Sequence, residues 1–120
     1  MSGVTYNPLT NTLFMITNGN SRIYETDLEG QIIRSADLLY YSYGGNRRHD
    51  PEDIVHISGN RYAIAEERLG RIVYIRIDEL GHDINLRDST YAQLPGIWNS
   101  SDGIEGVSYD PNTDEMYCVV

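Results

Sequence analysis

The segment Ser2-Gly3-Val4-Thr5-Tyr6-Asn7-Pro8, followed by Leu13-Phe14, returns near the end of the chain. There it reads Glu105-Gly106-Val107-Ser108-Tyr109-Asp110-Pro111, followed by Met116-Tyr117. A shorter copy, Glu52-Asp53-Ile54-Val55-His56 with Arg61-Tyr62, lies between them. With Gly3, Asp53 and Gly106 aligned, the unit recurs after 50 and then 53 residues. Self-similarity at such a period means that one supersecondary unit stacks on copies of itself. The period is slightly longer than the roughly 40–50 residues of a propeller blade.

Each unit divides into short strands. In the first they fall at about residues 3–6, 12–17, 22–27 and 31–37. They are separated by Asn7-Pro8-Leu9-Thr10-Asn11, by Asn18-Gly19-Asn20-Ser21 and by Leu28-Glu29-Gly30, all rich in turn formers. The second unit predicts strands at 53–57, 61–66 and 71–78, with a weaker fourth near 84–93. Ile72-Val73-Tyr74-Ile75-Arg76-Ile77 is apolar on both faces, as in a sheet covered on both sides. No segment carries sustained helical periodicity. The expected fold is therefore all-β: a partial β-propeller of four-stranded antiparallel blades. Blade 1 would span about residues 1–39, blade 2 about 52–94, and blade 3 would start at about 105–120. An antiparallel meander stacked as a sandwich is the alternative, and the matching first strands of a long repeat favour the propeller.

Composition narrows the partners. Ten tyrosines against one phenylalanine and one tryptophan suit half-buried strands that end near water. Eighteen acids against nine bases, a net charge of -9, disfavour nucleic acid and anionic membrane surfaces. Cys118 is the single cysteine, which rules out an internal disulfide and a cysteine metal cluster and leaves the redox compartment open. No apolar run approaches the roughly 20 residues that span a bilayer, and no signal peptide opens the chain.

The first-repeat segment, Asp50-Pro51-Glu52-Asp53-Ile54, Ala65-Glu66-Glu67-Arg68 and Gly103-Ile104-Glu105-Gly106-Val107 together resemble the SdiA-regulated family, also described as the calcium-regulated β-propeller family. Each motif alone recurs in many propellers, whereas their order and spacing are specific. The resemblance implies a six-bladed ring, a periplasmic domain and a membrane anchor that this chain does not carry. It also implies a calcium ion, and for some members a phytase-like activity. Six blades need roughly 270 residues, so 120 residues would leave more than half of the ring absent. Where the family pattern has glycine after the second-blade glutamate, this chain has Asp53.

Ser2, Glu52 and Glu105 share one repeat position, just before the strand that lines a propeller's channel. Carboxylates gathered there repel one another unless a cation or hydrogen bonds compensate, and all-oxygen ligands suit calcium. Glu52, Glu105, Glu66 and Asp53 are the candidate metal ligands. Asn18 and Glu66 are aligned at the end of the second strand, with Glu67, Asp50 and Asp102 nearby. The competing reading has these acids cap turns or pair with Arg68 and Arg71.

Other motifs carry less. Asp110-x-Asn112-x-Asp114 copies half of an EF-hand loop, but Glu115 stands where glycine belongs, so a hairpin turn is expected. His49, His56 and His82 are scattered, and His56 aligns with Tyr6 and Tyr109 as a packing residue. Gly44-Gly45-Asn46-Arg47-Arg48 reads as a surface loop. Trp98 is expected to fill the gap between blades. No nucleophile or zinc motif is present.

The expected function is thus a calcium-binding, non-catalytic cell-envelope propeller that senses or scaffolds. The alternative is a metal-dependent hydrolase, phytase-like or lactonase-like, in the complete protein; a third reading is a protein-binding module that uses its loops. An open ring leaves strand edges and blade faces uncovered, so the 120-residue chain alone is expected to be marginally stable, or to associate through its open faces.

Overall fold

The computed structural model describes residues 1–42, 45–47, 50–78, 83–86, 89–96 and 103–120; of residues 40–42 and 45–47 only the backbone is described. Among the described residues twelve strands form three sheets. The first contains β1 (Gly3–Asn7), β2 (Thr12–Thr17), β3 (Arg22–Thr26), β4 (Ile32–Ser42) and β5 (Gly45–Arg47) in chain order, each antiparallel to the next. The second has β6 (Pro51–Ser58), β7 (Arg61–Glu66) and β8 (Arg71–Arg76). Beyond these, the two-residue β9 (Ile84–Asn85) leaves the sheet to pair in parallel with β4, and β10 (Tyr91–Gln93) closes the sheet against β8. In the third, β11 (Gly106–Asp110) and β12 (Glu115–Val119) form one hairpin.

The strands carry the alternation that a two-faced sheet requires. In β7 every residue after Arg61 is buried. Tyr62 and Ile64 join Phe14, Ile16, Ile23, Ala36 and Leu38 in one core, between the first and second sheets. Ala63 and Ala65 join Ile104 and Val107 in another, between the second and third. β8 divides likewise, with Val73 and Ile75 on the first side and Ile72 and Tyr74 on the other. The middle sheet is a layer between two others, as a propeller blade is, and the three sheets are separate ladders instead of one meander.

At the inner edge β6 lies between β1 and β11. Side chains, not a backbone ladder, join these strands. The His56 amide donates to Thr5 Oγ1 at 2.9 Å, and the Val107 amide donates to Asp53 Oδ2 at 2.9 Å. Asp53 Oδ1 accepts from its neighbour's amide, Ile54, at 2.8 Å. The approach is close enough to need Gly3, because a Cβ there would overlap the Asp53 carboxylate and lie 2.7 Å from Asp53 Cα.

The turns repeat in chemical detail. Asn7 Oδ1 accepts from the Leu9 amide and Asp110 Oδ1 from the Asn112 amide, both at 2.9 Å. Tyr6 donates to Asn11 and Tyr109 to Asp114, across residues whose φ is 55° in both cases. Asn and Asp tolerate this left-handed conformation because their short side chains bond locally. The Asp110–Asp114 segment is therefore the expected hairpin turn. Buried Asn7 also crosses to the next sheet, donating from Nδ2 to Gly59 O at 3.0 Å and to the Tyr62 hydroxyl at 2.6 Å.

Three expectations are corrected. β4 is longer than foreseen and continues to Ser42. Gly45–Arg47, read as loop, pairs with β4 in a short hairpin. The fourth strand expected over 84–93 is divided between β9, which has joined β4, and β10. The readings of His49, His82, Trp98, Asp102, Gly44 and Arg48 fall outside the described residues.

Two substitutions separate the inner-edge constraint from general tolerance to alanine. Gly3→Ala is expected to lower stability by about 1–3 kcal/mol, the overpacking range, because β1 must retreat from β6. Gly19→Ala, where an added Cβ meets nothing within 4 Å, should change it by less than about 0.5 kcal/mol. Urea unfolding of both variants measures this; equal effects would remove the close-approach argument.

Candidate metal centre

The start of β6 and the end of β7 meet at one end of the inner edge. The Glu67 amide donates to Asp50 O at 3.0 Å, which ties the turn after β7 to the residue before β6. The backbone thereby brings together the side chains of Asp50, Glu52 and Glu67. Each offers a carboxylate oxygen within 4.8 Å of the others, and all three are half-buried. Asn18, from the turn after β2, donates from Nδ2 to Glu52 Oε1 at 2.5 Å. Gly103, in the third repeat, backs onto the cluster: a Cβ there would overlap the Glu67 side chain and lie 3.2 Å from the Glu67 carbonyl oxygen. Residues that flank each of the three sheets thus meet at this end.

The electrostatics follow from that crowding. Burial, then the charges of Glu67, Asp50 and Glu105, push the Glu52 carboxyl up to about 7, and a hydrogen bond with Glu67 adds to the effect. Like charges drawn together out of water cannot all ionise without cost. Glu105 therefore lies near enough to act on Glu52, as the shared repeat position implied, although it is itself exposed. Ser2, at the same position of the first repeat, is uncharged, and its hydroxyl accepts from the Asn18 amide at 3.1 Å.

The other two candidate ligands are placed differently. Glu66 is buried beside Arg71, with Oε2 2.5 Å from Nε, and Arg71 also lies over the Tyr91 ring at 4.8 Å. The carboxylate of Asp53 is engaged by the Ile54 and Val107 amides, so the extra acid holds adjacent blades together. Neither belongs to the Asp50–Glu52–Glu67 group. The register explains why Glu67 takes the place expected of Glu66. Tyr6 pairs with Leu13, whereas His56 pairs with Tyr62, so the second hairpin turn is one residue shorter. The residue matching Asn18 is then Glu67. Counting from the strand pairs instead of from the sequence motif would have found it.

His56 does not approach the cluster. Its Nε2 is 2.9 Å from Gly59 O and its ring packs against Tyr62, four residues along β6 from Glu52. Four strand residues span about 13 Å. Among the described residues no arginine or histidine forms an ion pair with the three carboxylates.

Residues 1–120 match the family described as SdiA-regulated, over the whole chain. The chain belongs to the SdiA-regulated family. Solved structures similar to this member of the family are propeller proteins. An inactive variant of virginiamycin B lyase from Staphylococcus aureus, with quinupristin, is 21% identical at a TM-score of 0.64; the match covers 98% of this chain and 33% of that one. A luciferin-regenerating enzyme is 16% identical at 0.65, covering 98% and 36%. A β-propeller domain from Myceliophteria thermophila is 11% identical at 0.55, covering 98% and 34%. At these identities the likeness is one of fold. The chain spans about a third of the length of each.

The raised Glu52 pKa sets a pH dependence. The folded chain holds this proton more tightly than the unfolded chain, whose carboxyl has the ordinary value of 4.5. Protonation thus favours folding. The contribution is complete below about pH 4.5 and is lost as pH rises through about 7. Without divalent ions, the melting temperature of the wild type relative to Glu52→Gln is expected to fall by a few degrees between pH 5 and pH 8. Parallel curves across that range would show that Glu52 ionises freely.

Proposed function

We propose that this chain is part of a propeller that binds calcium through Asp50, Glu52 and Glu67, with Glu105 adding negative charge, and that it senses or scaffolds at the cell envelope instead of catalysing a reaction. The observation that carries the reading is the convergence of three half-buried carboxylates within 4.8 Å. Their oxygens form a hard donor set without nitrogen or sulfur, which suits calcium and magnesium over transition metals. The repulsion that pushes Glu52 up to about 7 is what a divalent cation would relieve. Asp50 and Glu52 precede or open β6, and Glu67 follows β7 under Gly103 of the next repeat. A cation held there would bind the ends of adjacent blades together, while water would complete its six to eight oxygen ligands.

Two considerations favour a non-catalytic role. Hydrolysis at a metal needs a second group to move a proton or bind a leaving group, and His56, the one histidine among the described residues, is about 13 Å away along the strand. The similar lyase and luciferin-regenerating enzyme share only the fold with this chain, and propellers host unrelated functions. The envelope location rests on the resemblance to family members with a periplasmic domain, and a protein partner at the loops of the same face would suit a sensor. A phytase-like or lactonase-like hydrolase in the full-length protein is the competing outcome.

Calorimetric titration of the 120-residue chain with calcium chloride at pH 7.5 tests the proposal. One saturable site is expected. Glu52→Gln and Glu67→Gln should each weaken it about tenfold or more, Glu105→Gln should weaken it less, and Asp114→Asn, in the hairpin turn, should leave it unchanged. Absence of saturable heat, or an affinity unchanged from the wild type in both Glu52→Gln and Glu67→Gln, would reject it. Turnover of a phosphomonoester or lactone by the calcium-loaded chain would replace the non-catalytic reading with the hydrolase.

A further inference from the structure

The divided fourth strand leaves an opening in the middle sheet. β10 pairs only with Arg71–Val73, the first half of β8. β9, which would have continued along Tyr74–Arg76, lies on β4 instead. The Tyr74 amide reaches Thr90 O at 2.8 Å, and the chain diverges from β8 beyond that bond. Between the two paths lies a cavity of about 630 Å³, lined by Arg61, Tyr74, Arg76, Asn85, Ser89 and Thr90, with Ile75 and Ile84. That volume lies within the range of small-molecule sites, about 300–1,000 Å³.

Among the described residues its charged lining is basic, opposite in sign to the whole chain. Arg61 and Arg76 face one another directly across β7 and β8. Like charges at such a pair, with Cβ atoms about 4.5–5.5 Å apart, are destabilising unless something neutralises them. Among the described residues no carboxylate forms an ion pair with either. Asp78, two residues beyond Arg76, instead accepts from Asn60 Nδ2. In a protein with a net charge of -9, two arginines at one cross-strand pair, both lining a concave site with two hydroxyl residues, form a local feature that calls for an anion.

We infer that this cavity is a binding site for a small phosphorylated ligand. Two guanidinium groups supply paired donors matched to the oxygens of one phosphate dianion. The Ser89 and Thr90 hydroxyls are neutral donors in the same lining, and a phosphate has more oxygens for them than a carboxylate has. Tyr74, Ile75 and Ile84 give the remainder of the ligand an apolar wall. The site lies on the outer half of the sheet, on side chains other than the acidic cluster, so it stands or falls apart from calcium binding.

Titration of the 15N-labelled chain with inorganic phosphate, at constant ionic strength and with EDTA present, tests the inference. Saturable shifts at Tyr74–Arg76 and Ser89–Thr90 are expected, and sodium acetate should bind at least about tenfold more weakly. Arg61→Gln and Arg76→Gln are exposed changes and should keep the spectrum of the folded chain while weakening phosphate about tenfold each. Arg76→Lys, which keeps the charge but loses the paired donors, should fall between. Shifts that do not saturate, that map elsewhere, or that persist with unchanged affinity in both glutamine variants would overturn it, as would equal binding of acetate.

Discussion

Where the first strands of successive blades converge, β1 passes so near β6 that any side chain at Gly3 would overlap Asp53. The rest of the architecture depends on how β1, β6 and β11 meet that constraint. Gly3 removes the side chain where β1 touches Asp53, and Thr5 and Asp53 supply the acceptors that a backbone ladder would otherwise have provided. A charge-assisted bond such as that from the Val107 amide to Asp53 contributes about 1.5–3 kcal/mol, and it has a direction. It fixes the third sheet relative to the second, and apolar packing between the sheets then follows. The small Ala63 and Ala65 admit the third sheet closely on one side, while the larger Tyr62 and Ile64 fill the space beside Phe14 on the other.

The same convergence produces the acidic cluster. Strands that narrow toward an axis carry their end residues together, so acids at equivalent repeat positions become neighbours. Asn18 and Ser2 in the first repeat are neutral where Glu67 and Glu52 stand in the second. The result is a graded end, in which one repeat supplies amide and hydroxyl groups and the next supplies charge. Asn18 softens the repulsion by donating to Glu52. Elsewhere buried acids are neutralised within their own sheet: Glu66 by Arg71, and Glu25 by Arg34 together with a 2.8 Å bond from Thr12. Repulsion is left standing at the cluster and relieved at those two sites, and this contrast gives the cluster its functional interest.

Much of the fold was legible because it rests on local chemistry repeated at a fixed period. Tyr6-Asn7-Pro8 and Tyr109-Asp110-Pro111 announce the same turn, and the two-faced apolarity of Ile72–Ile77 announces a covered sheet. What escaped the sequence depends on register and tertiary proximity. A single-residue difference in hairpin length moved the acidic partner from Glu66 to Glu67. No local pattern told that Ile84–Asn85 would pair with β4 of the preceding sheet, and the cavity that this opens was equally unreadable. Asp53 looked like an added ligand because its type was visible, whereas the Val107 amide that it accepts from was not.

Whether the first strands meet through side chains at a shared inner edge is decided by nuclear Overhauser contacts in the labelled chain. Close contacts are predicted from Gly3 Hα to Asp53 Hα and the Ile54 amide, together with a His56 amide that is slow to exchange and loses that protection in Thr5→Val. A regular antiparallel or parallel ladder of backbone contacts between residues 3–7 and 51–58, or no contacts between these segments, would contradict the arrangement on which the fold and the candidate site both rest.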